Sequence, residues 1–338
     1  QLGVPTLLVR EIAIATAQAH PGLVRGVQIW SRRVIALGTL GLGAAVIGGY
    51  ALVLAAGWPI LKNFDWPMIL MIVALIPVIA EMKRAMGALT GFKLAAYGLL
   101  PDGAVRPFLL FVLGALGLTL WDISERELLG VYLGSALAAA TVGTWLLRRC
   151  QPIASVAPEY KAQSWMRSLV PLTTIAAASM INNFVDILML GALAAPETVA
   201  HYRVASQIAG VGMLVQVAVN MVINPRVAGL YAHGDLANMQ RLVVIGCRIS
   251  FAGALIAAFT LLIVGESGFV ALLGSNYAPV HGLAVGLGFG IAATAVFGGA
   301  LQLLTMTKRE GSSARYAISA AIGNVVLTCE TLAQAEAR

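Results

Sequence analysis

Apolar runs separated by short polar breaks cover most of the chain. Spans are predicted over Val34–Gly57, Pro67–Ala80, Pro107–Trp121, Leu128–Leu147, Ser168–Leu193, Val199–Ile223, Leu242–Val264 and Pro279–Met306. A stretch of about 20 apolar residues is enough to cross a bilayer as a helix. Gln1–Ala19 is too short and too charged for a full span and reads as the end of a helix whose start is missing. Ala314–Leu327 reads as an interrupted span that fades into the polar tail Thr328–Arg338. Glu81, Lys83 and Arg84 mark the emergence of one helix, followed by an amphipathic piece to Pro101. Trp58 and Trp66 bracket a loop in the manner of an interfacial aromatic belt.

Composition supports this picture. The 338 residues are 59% hydrophobic and 11% charged, against about 25% charged in soluble domains. The chain reads as all-α and polytopic, without a soluble catalytic domain. Its net charge of +7 does not imply nucleic acid, because the basic residues flank apolar spans. Seventeen of the 22 Lys and Arg fall on alternate loops of one side, and only Lys62 and Arg126 on the other. The positive-inside rule puts the richer side in the cytoplasm, which predicts a multi-pass protein of a bacterial-type cytoplasmic membrane.

The pattern also repeats. Arg25–Arg32 and Arg241–Arg248 both fit R-x-V-x-I-x-x-R, 216 residues apart, and the same offset carries Arg10 onto Arg226. Two pseudo-repeated helix bundles are therefore expected, over residues 1–148 and 168–338, with 149–167 as a cytoplasmic connector. By the repeat, the partner of Ser168–Leu193 would precede residue 1.

Candidate chemistry lies inside the spans. Ser168–Leu193 carries Asn182, Asn183 and Asp186, whose spacings of three and four share one helix side. A carboxylate costs about 2.5–3.5 kcal/mol at a helix centre, so Asp186 should face protein or water rather than lipid. Arg203 and Gln207, and further on Asn220 and Asn224, repeat four apart on what reads as the next helix, together with His201 and Gln216. A hydrophilic stripe facing a cavity is one reading. Hydrogen bonding between helices, worth about 0.6 kcal/mol per contact, is the other. Arg10 and Arg248 are basic positions near helix ends, and Arg248 suits snorkelling or an anionic headgroup. The four histidines and three cysteines show no metal-binding or nucleophile spacing, so no enzyme and no metal is expected.

Several runs resemble those of polysaccharide-export flippases in the multidrug/oligosaccharidyl-lipid/polysaccharide superfamily. They are GVPTLLVREIA (Gly3–Ala13), DILMLGAL (Asp186–Leu193), VAHYRVA (Val199–Ala205), NPRVAGLY (Asn224–Tyr231), LLGSNY (Leu272–Tyr277) and LQLLTMT (Leu301–Thr307). The resemblance implies two six-helix halves and alternating access. It implies a polyprenyl-pyrophosphate-linked oligosaccharide as substrate, moved between leaflets without a bound cofactor. Coupling would be to H+, Na+ or the membrane potential. Polysaccharide polymerase and glycosyltransferases would be partners beside the membrane lipids. Against the family plan of about twelve or more helices, the chain departs at both ends. Two alternatives stand beside this reading: a multidrug cation antiporter of the same superfamily, and a non-transporting scaffold of a glycan assembly complex.

Overall fold

The computed structural model describes residues 3–56, 65–120, 124–150, 156–193, 195–307, 311–320 and 322. The loop containing Trp58 and Lys62, the residues Trp121, Lys308 and Arg309, and the tail with Cys329 lie outside them. The described residues are helical, with no strand among them. The helices are α1 (Val4–Ala17), α2 (Pro21–Ala55), α3 (Trp66–Gly91), α4 (Ala95–Leu100), α5 (Arg106–Leu120), α6 (Glu125–Cys150), α7 (Ala162–Leu193), α8 (Pro196–Ala209), α9 (Val211–Ala232), α10 (Leu236–Leu273) and α11 (Val280–Met306). A short helix over 311–320 follows. Among the described residues, seven helical segments are long and apolar enough to cross a membrane. The fold is that of a polytopic helical membrane protein.

The starts are set by local chemistry. Asp65 accepts the Met68 backbone N–H at 3.1 Å ahead of α3, and Asp235 accepts that of Asn238 at 3.1 Å ahead of α10. At α6 the Ser124 and Glu127 side chains each accept the other's backbone N–H, a reciprocal cap. Proline stands in the first turn of α1, α2, α3 and α8, where its missing N–H costs nothing.

The chain divides into two compact units, Gln1–Leu169 and Val170–Arg338. In the first, α3 packs against α1, α2 and α6. In the second, α10 and α11 pack on each other and on α9. The 216-residue offset recurs in the elements themselves. Three residues separate α1 from α2, and three separate α9 from α10. Both turns place their middle residue in the left-handed region, Ala19 at φ 55° and Gly234 at φ 74°. Both close with a bond spanning five residues, His20 N–H to Ala15 O at 2.9 Å and Asp235 N–H to Leu230 O at 3.1 Å. That is a Schellman closure of a helix C-terminus. α3 and α11 follow at nearly the same offset, as do α4 and the helix over 311–320. The two bundles are pseudo-repeats.

Three expectations about the elements change. The Glu81–Arg84 run does not mark a helix end, because α3 continues to Gly91 and Arg84 is fully buried. Glu81 receives Arg84 Nε at 2.7 Å and Nη2 at 2.6 Å, and this bidentate pair lets the charge stay inside. The amphipathic piece before Pro101 is the short helix α4. It runs through a π-helical turn, Pro101–Val105, into α5, with Asp102 held by Lys83 and by Arg106 at 3.1 Å. The stretch Val199–Ile223 is not one helix. It breaks at Gly210, where the Met213 N–H bonds the Gly210 carbonyl at 3.0 Å in a tighter turn. Further on, α10 kinks at Gly265, whose φ of 66° and ψ of 174° are non-helical and suit only glycine.

Candidate functional site

The polar residues predicted from the sequence fall into three places. The first is at α7 and α8. Asp186, half-buried on α7, accepts a hydrogen bond from the Tyr202 hydroxyl of α8 at 3.0 Å. Asn182 and Asn183 stand a turn earlier on α7 and are exposed. Arg203 and Gln207 are exposed on α8. Asp186 is thus brought to a partner, Tyr202, that lies outside the polar stripe expected from the sequence. Tyr202 had stood in VAHYRVA only as part of a motif. Its signal was available, since a phenol is an amphipathic group suited to a buried carboxylate.

The second place is a pocket in the same unit among α9, α10 and α11. It is small, with about 20 Å³ of free space, room for roughly one water. Gln216, Asn220 and Asn224 line it from α9, each four residues after the last, so one helix face presents three amides. Cys247 and Ser250 line it from α10, and Ile223, Val227, Val243, Ala295 and Leu303 supply apolar wall. Among the described residues, no carboxylate or basic side chain lines it. It is a polar notch in an apolar wall, of a size to seat one water or one polar group of a larger solute. Of the predicted residues, Asn220 and Asn224 meet here. Gln216 joins them one turn earlier on α9, and Ser250 and Cys247 are not legible from the sequence because helix spacing on α9 says nothing about what α10 presents.

The third place is in the first unit. Arg10 is fully buried on α1, its Nε donating to Glu11 at 3.1 Å. Glu11 also receives the indole N–H of Trp165 at 3.3 Å, and Trp165 packs on Trp30 with ring centroids 5.5 Å apart. Arg10 is part of a packed ionic core. Elsewhere His201 meets the ring of Tyr277 edge-on at 5.6 Å, and His281 meets Phe269 at 5.4 Å. Among the described residues, no group of three or more His, Cys, Asp or Glu converges as a metal site would.

No family model matches the chain, and no curated protein does. Solved structures do match its fold. A MATE protein in the straight conformation superposes with a TM-score of 0.72 at 13% identity, over 100% of this chain and 85% of that one. The Vibrio cholerae MATE transporter VcmN in the bent form gives 0.71 at 13% identity, over 99% and 85%. An outward-facing multidrug resistance MATE family transporter of the MOP superfamily gives 0.67 at 14% identity, over 98% and 84%. The chain therefore has the fold of MATE transporters. At 13–14% identity the likeness is one of fold, and it does not single out a polysaccharide flippase.

Proposed function

We propose that the chain is an alternating-access exporter that moves an amphipathic organic solute across the membrane against a flow of cations. The observation that carries this reading is Asp186, a half-buried carboxylate in an apolar helix, held by Tyr202. An ionisable group inside a membrane helix is costly and marks ion or substrate pathways. A carboxylate that takes up and releases a cation in step with a solute pocket couples the two. The MATE fold supports this, and one neighbour of that fold is a multidrug resistance transporter. A multidrug-type substrate, an amphipathic organic cation, follows. The test is expression of the full-length protein in a strain lacking its main efflux pumps, with ethidium efflux and drug tolerance as readouts. Faster efflux that is lost in Asp186→Asn supports the reading, and unchanged efflux from confirmed membrane-inserted protein overturns it.

A second reading is favoured by the pocket itself. Gln216, Asn220, Asn224 and Ser250 offer donors and acceptors without a carboxylate, which suits sugar hydroxyls better than a cation. Together with the flippase-like motifs, this supports a lipid-linked oligosaccharide as cargo, in a cytoplasmic membrane that also holds a polymerase and glycosyltransferases. Restored surface glycan in a strain lacking its polysaccharide flippase, without any gain in drug efflux, would select this reading over the first.

A further inference from the structure

The duplicated motif R-x-V-x-I-x-x-R is used differently in the two bundles. In the first, both arginines are engaged within the protein. Arg25 donates to the Val156 carbonyl at 2.6 Å, and Arg32 lies 3.9 Å from Glu81. In the second, Arg241 and Arg248 have no hydrogen-bond or ion-pair partner among the described residues. Asp235, at the start of the same helix, is already taken by Asn238, which donates its side-chain N–H to it at 2.7 Å. Arg241 and Arg248 are seven residues apart, so they share one face about 10 Å apart along the helix. Both are exposed and line an open recess of about 430 Å³ with Ala237, Gln240, Val244 and Ile245. Beyond Arg248 the same face stays apolar and exposed, with Ile256 67%, Phe259 46% and Ile263 82% accessible.

We propose that this recess binds the phosphate headgroup of an anionic phospholipid of the cytoplasmic leaflet, with an acyl chain along the ridge from Ile245 to Ile263. The polarity of the surface matches that ligand from end to end. Two guanidinium groups and the Gln240 amide meet the phosphate oxygens, a pairing Arg makes well. The apolar ridge then follows in the order headgroup, glycerol, hydrocarbon. The positive-inside asymmetry puts this end of α10 on the cytoplasmic side, where anionic lipids attract basic residues near the surface. A soluble phosphate would use the arginines and leave the ridge without a role.

The experiment is native mass spectrometry of the purified full-length protein with added phosphatidylglycerol, phosphatidylcholine or inorganic phosphate. One tightly held phosphatidylglycerol is expected, and neither of the other two. Arg241→Gln/Arg248→Gln should weaken that lipid by about thirtyfold, at about fivefold for each basic residue near the surface. Arg241→Lys/Arg248→Lys should retain most of it. Arg226→Gln, which removes one charge from α9, should leave it unchanged and reports whether loss of charge alone matters. Equal retention of phosphatidylcholine, displacement by inorganic phosphate, or undiminished phosphatidylglycerol binding by a folded double variant would overturn the assignment. If the glutamine variant does not fold, weak binding by the lysine variant overturns it as well.

Discussion

The Tyr202 hydroxyl of α8 donates to the Asp186 carboxylate of α7 at 3.0 Å, joining the second unit's one carboxylate within α7 to the helix that follows. A hydrogen bond to a charged group is worth about 1.5–3 kcal/mol. Tyr202→Phe should therefore cut solute export by about tenfold while leaving the membrane level of the protein unchanged. Asp186→Asn should cut it further and remove its dependence on the ion gradient. Export rates in vesicles under imposed proton or sodium gradients check both. Wild-type rates in either variant would separate this pair from transport.

Cys247 reports on the amide pocket directly. It is half-buried and lines the pocket opposite Gln216, Asn220 and Asn224. In a protein with Cys150 and Cys329 changed to Ser, a small membrane-permeant maleimide should label Cys247. A transported solute should slow that labelling. Asn220→Leu should remove the protection, because losing one hydrogen bond to a bound solute costs about 1 kcal/mol and the added bulk fills the recess. Labelling rates with and without solute, read by mass shift, decide it. Protection that survives Asn220→Leu would move the solute elsewhere.

Glu81 and Arg84 make a different prediction, about stability. Arg84 is fully buried, and its Nη1 has no hydrogen-bond partner among the described residues while Nε and Nη2 bind Glu81. Glu81→Leu would strand a buried charge, at a cost of about 3–5 kcal/mol. The double variant Glu81→Leu/Arg84→Met, which leaves no charge behind, should recover most of that loss. Thermal unfolding in detergent separates the outcomes. A single variant as stable as wild type would mean that the pair contributes little.

The paired turns predict opposite signs for the same exchange. Ala19 sits at φ 55° and its counterpart Gly234 at φ 74°. A left-handed conformation costs a non-glycine residue about 1–2 kcal/mol. Ala19→Gly should therefore raise the unfolding temperature and Gly234→Ala lower it. Nothing lies within contact of a Cβ at Gly234, so that loss comes from the backbone alone. Shifts of the same sign would contradict the shared turn geometry.

By itself, the sequence determined the membrane class, the helical fold, most of the spans and the duplication. Those properties are periodic or local. Pro279–Met306 as a predicted span and Val280–Met306 as a helix differ by one residue, because apolar length and a following polar break are written in consecutive positions. The repeat was legible because RGVQIWSR and RLVVIGCR keep their arginines in register. The sequence also put Asn182, Asn183 and Asp186 on one helix side, and Asn220 with Asn224, for the same reason. What it could not supply was the partner of each polar group. Glu81, Lys83 and Arg84 read as a solvated end, since three charges in four residues normally mean water. The bidentate contact that lets Arg84 stay buried is a matter of side-chain geometry and packing against α1, α2 and α6. Likewise Tyr202 reaches Asp186 across sixteen residues, and Ser250 lines the same pocket as Asn220 from another helix. Those pairings depend on the rotation and crossing of whole helices, which sequence spacing leaves free and only tertiary packing fixes.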